Sequence, residues 1–198
     1  FSVRSIYRLF SSPYDISMVA YPMKTVNSDK FYQDNIKRPS DHPDTKGYVF
    51  PVELPDIDNI NVEKGFCEIK KGPAGCMMIK RSAFDKLIKQ YPELTIKQKT
   101  LINGKMVDRP HYYNFFDTYW DPKEKTSLGE DFYFCKLWTK MGGKLWCLAD
   151  EEISHVGEKM YRGSLMQEFK AVPSSTPAFS MEKDFRDAKT ALSKKPIV

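Results

Sequence analysis

The sequence predicts an α/β fold built on a mixed central sheet flanked by helices. Three observations carry that prediction. Short apolar runs of strand length alternate with segments of helical apolar spacing. The alternation is incomplete, and an Asn103-Gly104 hairpin signal interrupts it, which argues for antiparallel as well as parallel neighbours. The 198 residues, 41% apolar and 29% charged, suffice for one sizeable core.

The elements follow in order. Val3, Ile6, Tyr7 and Phe10 stand at i, i+3, i+4 and i+7, so the spacing predicts a helix with Ser2 as its cap and Pro13 as its stop. Residues 16–21 read as a buried strand ended by Pro22. Residues 27–58 are polar and rich in Pro and Asp and read as loop, with one strand over 47–50. Residues 67–71 and 74–79 read as strands on either side of Gly72-Pro73. Ser82 with Asp85 resembles a capping box opening a helix that carries Phe84, Leu87 and Ile88 and closes at Tyr91-Pro92. Residues 94–107 form a hairpin around a type I′ turn, and 111–119 an extended aromatic run. Residues 130–141 make a strong helix with Phe134, Cys135, Trp138 and Met141 on one stripe, stopped by Gly142-Gly143. A strand over 144–148, a short extended piece over 153–156 and helices over 164–171 and 181–193 complete the chain. The domain division is 1–171 for the folded unit and 172–198 for a tail carrying the last helix.

Composition narrows the function classes. Lys and Arg total 31 against 26 Asp and Glu, a net charge of +5, too small for a dedicated nucleic-acid arm. Thirteen Phe, 11 Tyr and 3 Trp argue against disorder. No run approaches the ~18 apolar residues of a membrane span. The opening residues lack a long apolar core, so no secretory signal is expected, and a chain that starts at Phe1 reads as a piece of something longer. Cys67, Cys76, Cys135 and Cys147 show no C-x-x-C spacing and sit among apolar residues. Four cysteines could pair as two disulfides in three ways, but the plainer reading is buried free thiols in a reducing compartment, the cytoplasm, and the scattered spacing argues against a zinc site. P-loop, GxGxxG, GxSxG and HExxH patterns are all missing from the sequence.

Four short segments could carry chemistry, each with a plainer alternative. Glu130 and Asp131 after Gly129 stand at a helix N-terminus, where a carboxylate is stabilised and fixed as a general base, or merely caps the helix. His155, before Gly157, could ligate a divalent metal or be structural. Gly75 and Cys76, in Gly72-Pro73-Ala74-Gly75-Cys76, could line a site or form a tight turn. Lys24, just after a buried strand, stands where α/β folds bind ligands, or is simply solvated.

Taken together, the run GEDFYFCKLWTKMGGKLWCLADEEISHVG from Gly129 to Gly157 resembles the C-terminal half of the GT-A-fold glycosyltransferases. GPAGCMMIKRSAFDKLI is similar to the small-residue strand and helix flanking that family's donor-sugar and acceptor pocket, and DISMVAYPMK to the segment after its metal-binding DxD. The resemblance covers residues 1–165. It implies a partial GT-A fold whose nucleotide-binding half and DxD precede Phe1. It implies Asp131 as catalytic base with Glu130 beside it, His155 on a metal or the donor diphosphate, Gly75 and Cys76 near the donor sugar, and Lys24 toward the acceptor. The cofactor implied is Mn²⁺ or Mg²⁺, and the partners are a nucleotide-sugar donor and a carbohydrate or other hydroxyl acceptor.

On this reading the complete enzyme transfers a sugar from a nucleoside diphosphate, and the chain alone binds nucleotide sugars weakly or not at all. The alternative is a non-catalytic carbohydrate- or protein-interaction domain that retains the fold. A weak nucleic-acid binder is disfavoured because acids and lysines are interspersed, as in residues 121–125. Three structural expectations follow. The aromatic stripe of residues 130–141 faces inward while Glu130 or Asp131 faces a cleft. His155 lies on the same side as Asp131. The segment 1–21 exposes a sheet edge and apolar surface through which the chain self-associates.

Overall fold

The computed structural model describes residues 1–37, 46–109, 112–123 and 125–169. In chain order the elements are α1 (Val3–Ser11), β1 (Ile16–Met18), α2 (Ser28–Lys37), β2 (Val62–Glu63), β3 (Phe66–Ile69), β4 (Met77–Ile79), α3 (Arg81–Gln90), β5 (Gln98–Ile102), β6 (Lys105–Arg109), β7 (Tyr119–Asp121), β8 (Thr126–Leu128), α4 (Glu130–Lys140), β9 (Leu145–Leu148), β10 (Ile153–Val156) and β11 (Met160–Gly163), with single 3₁₀ turns at Pro92–Leu94 and Leu165–Glu168. Five strands form a mixed sheet in the order β2-β3-β9-β1-β4, and three two-stranded ribbons surround it. β1 runs parallel to β9 and antiparallel to β4. The α/β class with a mixed sheet is thus the observed one.

Strand alternation sorts the core into two faces. Ile16 and Met18 of β1, Cys67 and Ile69 of β3, and Leu145 and Cys147 of β9 point to one face. There they meet Ala83 and Leu87 of α3 and Phe134, Cys135, Leu137 and Trp138 of α4. Val19, Phe66, Cys76 and Leu148 point to the other face, where Leu9 of α1 and Ile153 join them. The first face is thick. The second is thin, and Tyr14, Tyr21, Met78 and Trp146 border it half-buried.

α4 forms as its sequence requires. Its aromatic stripe is inward, with Phe134 and Cys135 at 0% exposure. The chain leaves the helix through Gly142 at φ +86, a left-handed position that glycine takes without steric cost. The β5–β6 hairpin has the expected turn, with Asn103 and Gly104 both at positive φ. Ser2 caps α1 by accepting a hydrogen bond from Ser5 N at 3.0 Å. All four cysteines are buried and free.

Several expectations change. Residues 16–18 are not an open edge: β1 is flanked on both sides, and the outer strands are β2 and β4. The apolar surface expected near the N-terminus is present, but it belongs to α1, which exposes Phe1, Val3, Ile6 and Phe10. The polar stretch after Asn27 contains a helix, α2, and Tyr48 makes only an isolated bridge to Val26. α3 starts at Arg81 with no side-chain cap; Asp85 pairs with Arg81 at 3.0 Å instead of serving a cap at Ser82. Tyr119 lies in a hairpin, β7–β8, and residues 153–156 pair with β11. The helix expected over 164–171 is a 3₁₀ turn capped by Ser164 and Gln167. His111, the tail 172–198 and its helix lie outside the described residues.

Candidate functional site

The parallel pair β1–β9 gives the sheet a carboxyl-end edge, where ligands bind in sheets of this kind. Beyond β1 the chain passes through buried Val19 and Ala20 to Tyr21 and Pro22. β4 runs the opposite way, so its start lies at the same edge, and Val19 N donates to the Cys76 carbonyl at 2.9 Å. β10 folds back so that His155 Nδ1 meets the Pro22 carbonyl at 2.9 Å. A carbonyl oxygen only accepts, so Nδ1 carries the proton and Nε2 is the lone-pair nitrogen of the neutral ring. α4 is joined to the start of β9 by Gly142-Gly143, which returns its N-terminus, with Glu130 and Asp131, to this end of the sheet.

Tyr21 is the point where these segments meet. Its ring lies edge-on to His155, with centroids 4.9 Å apart. A Cβ on Gly75 would stand 2.6 Å from the Tyr21 ring, so only glycine admits this contact. Burial raises the Tyr21 phenol above its usual pKa, and the charges of Asp131 and Glu130 raise it further. The phenol is therefore neutral at ordinary pH. Tyr21 thus has His155 against its ring and feels the charges of Asp131 and Glu130.

The remaining residues take distinct places. Glu130 is exposed, while Asp131 is half-buried, its Oδ1 accepting from Phe132 N at 2.8 Å. Neither serves as the cap, which is Gly129. Lys24 is exposed, and its stem lies against Gly157, where a Cβ would come within 3.0 Å of Lys24 Cδ. Cys76 borders the edge through its backbone only. Its buried thiol faces the α1 side of the sheet, and burial raises its pKa. A shallow cleft of ≈ 370 Å³, lined by Tyr14, Asp15, Lys86, Trp138 and Trp146, lies at the opposite end, before β1 and β9. The Glu130–Asp131 pair is not on it.

Tyr21 is the residue that reading the sequence did not single out. An aromatic at the end of a buried strand looks like core, and Pro22 directly after it was the one available signal. Whether a divalent metal fits can be judged from the donors. Among the described residues no three His, Cys, Asp or Glu side chains group closely enough to hold one. His155 offers a single imidazole nitrogen, so these residues do not by themselves form a metal site. Among the described residues, no helix is long and apolar enough to cross a membrane. Comparison with protein-family models, curated proteins and solved structures finds no match to this chain.

Proposed function

We propose that the chain is the catalytic, acceptor-side part of a nucleotide-sugar-dependent glycosyltransferase with a GT-A-like sheet. The observation that supports this reading is the convergence of Tyr21, Gly75, the Glu130–Asp131 pair and His155 at one end of the parallel strands. These residues come from four distant stretches and are carried by strand ends and a helix start, supports rigid enough to orient two substrates.

In the proposed reaction the acceptor oxygen bonds to the anomeric carbon of the donor sugar as Asp131 takes the hydroxyl proton. The bond from that carbon to the phosphate oxygen breaks, and its electron pair leaves with the nucleoside diphosphate. Asp131, held at Phe132 N, suits the base of an inverting outcome, with Glu130 adding negative charge beside it. The neutral phenol of Tyr21 donates to a sugar or phosphate oxygen. Lys24 supplies positive charge at the diphosphate or the acceptor. Gly75, against which the Tyr21 ring packs, and the backbone of Cys76 border the sugar. Mn²⁺ or Mg²⁺ would neutralise the departing diphosphate and would need ligands beyond His155.

The test is release of nucleoside diphosphate from nucleotide sugars with Mn²⁺, run on the chain together with any sequence its gene encodes before Phe1. Asp131→Asn is expected to lower turnover by about 100-fold or more while donor binding persists. Unchanged turnover overturns the assignment of the base. The incomplete metal donor set favours one other reading, a carbohydrate- or protein-interaction domain that retains the fold. It predicts saccharide or protein binding without Mn²⁺ and without turnover.

A further inference from the structure

The β5–β6 hairpin is the least covered part of the described chain. Nine of its ten strand residues are exposed, and Thr100 is half-buried. A lone two-stranded hairpin is marginal in water unless a face of it packs on something. Its apolar residues do not follow the one-sided alternation of a ribbon lying on a core. Leu101 and Met106 oppose each other on one face, while Ile102 and Val107 fall on the other. All four lie in the three residue pairs next to the Asn103-Gly104 turn, and Leu101 and Met106 are 66% and 62% exposed. The tip is therefore apolar on both sides.

Charge is arranged behind that tip. Lys97, Lys99 and Arg109 stand on the half of the hairpin nearer the body, and Lys105 flanks the turn. Asp108 is the one carboxylate of the ribbon and sits 4.0 Å from Lys99. The balance over residues 97–109 is three positive charges.

We propose that this hairpin is an anchor for an anionic lipid surface. The tip enters the headgroup layer, and Lys97, Lys105 and Arg109 meet the lipid phosphates. The dimensions agree: three residue pairs span about 7 Å along a strand, within the ~5–10 Å to which interfacial segments bury. An apolar tip with bare faces suits a medium that surrounds it, whereas a docked protein would cover one face. Single-stranded nucleic acid is the weaker fit, because residues 97–109 contain no aromatic side chain on which bases stack.

The experiment is co-sedimentation of the chain with vesicles of phosphatidylcholine alone and with vesicles that also contain phosphatidylserine. At low salt the three charges are expected to favour the anionic vesicles by on the order of 100-fold, and high salt to remove the preference. The variant Leu101→Asp with Met106→Asp is expected to lose binding with an unchanged thermal transition, since both side chains are exposed. Lys97→Glu with Lys105→Glu is expected to lose the anionic preference. Leu101→Trp is expected to blue-shift its fluorescence on anionic vesicles. The proposal is overturned if the chain stays in the supernatant with both vesicle types. It is also overturned if the double-Asp variant sediments like the wild type. Protection of the hairpin by nucleic acid or by a second copy of the chain, without vesicle binding, likewise overturns it.

Discussion

α1 and α4 both carry apolar residues at helical spacing, yet they face opposite ways. α4 turns its stripe to the sheet, burying Phe134, Cys135 and Trp138 and half-burying Met141. α1 buries Ser5 and Leu9 and turns Phe1, Val3 and Phe10 outward at 74%, 87% and 61% exposure. The difference lies in what waits on the sheet beneath each helix. Facing α4 are the apolar side chains of Ile16, Met18, Cys67, Ile69, Leu145 and Cys147. Beside α1 stands Glu151, 6% exposed, which accepts from Ser5 Oγ at 3.0 Å, from Arg8 Nη1 at 2.8 Å and from Arg4 Nε at 3.0 Å. Arg8 also bonds Asp150 at 2.7 Å and the Lys64 carbonyl at 2.7 Å. Burial alone would lower the pKa of Arg8, but its hydrogen bonds and charge contacts with Asp150 and Glu151 raise it on balance.

Turning α1 over would leave Glu151 buried without partners, at a cost of about 3–5 kcal/mol. It would also expose Leu9, at about 2 kcal/mol. Covering Val3, Ile6 and Phe10 would recover about 1.5–3 kcal/mol each, more than exposing Leu9 loses. Apolar burial alone therefore does not select the observed orientation, and the ion cluster is what opposes the turn. Periodicity reveals that a helix has a stripe; the partner side chains decide which way the stripe points.

The sharpest way to separate the two helices is to truncate matching aromatics. Phe134→Ala is expected to cost about 3–5 kcal/mol in urea unfolding. Phe10→Ala should stay within about 0.5 kcal/mol. Equal losses would mean that α1 packs against something in solution. Next in size, Arg8→Ala leaves Glu151 with Ser5 and Arg4 but removes its bond to Arg8 together with those of Arg8 to Asp150 and the Lys64 carbonyl, and is expected to cost about 2 kcal/mol. A loss below ~1 kcal/mol would show that the cluster does not orient α1.

A third measurement uses pH. On the α4 side, burial pushes the Cys67 thiol up to about 12, Cys135 to about 11 and Cys147 well above its ordinary value. The unfolded chain releases these protons near pH 9 and the folded chain does not. Stability is thus fully present below pH ~9 and falls as pH rises from there toward the folded values. The slope is about 1.4 kcal/mol per pH unit for each thiol in its window. A flat profile from pH 8 to 10.5 would contradict the packing of that face. The smallest expected effect is at the α1 cap: Ser2→Ala should cost about 1 kcal/mol, read as lost helix signal near the N-terminus. No change there would mean that the ion cluster alone holds the helix.

The same contrast explains what could be read in advance. α4, its glycine stop, β9 and the β5–β6 turn were legible because each is specified by residues within one turn or one strand. The orientation of α1 was not, since Ser5 and Glu151 are 146 residues apart. α2 escaped notice because Ser28–Lys37 is mostly polar and leaves Tyr32 and Ile36 exposed. β8 and β11 escaped because short, half-polar strands gain their identity from a partner. At the candidate site the separate pieces were visible, but their junction at Tyr21 was not, because no local spacing encodes a meeting of four remote segments.

The position of β1 has a consequence for how the protein is made. Its two neighbours are β4 and β9, and β9 is delivered far later in the chain. At about 5–20 residues per second, a ribosome needs on the order of 10 s after β1 emerges to supply that last strand. During that wait Ile16, Met18, Val19 and Ala20, all essentially inaccessible in the finished fold, have no complete sheet to join. The nascent chain must therefore carry a sticky central strand until residues 145–148 have been made. A holdase that binds short apolar segments has its natural client here, and refolding from denaturant should slow sharply as protein concentration rises and unfinished sheets find each other.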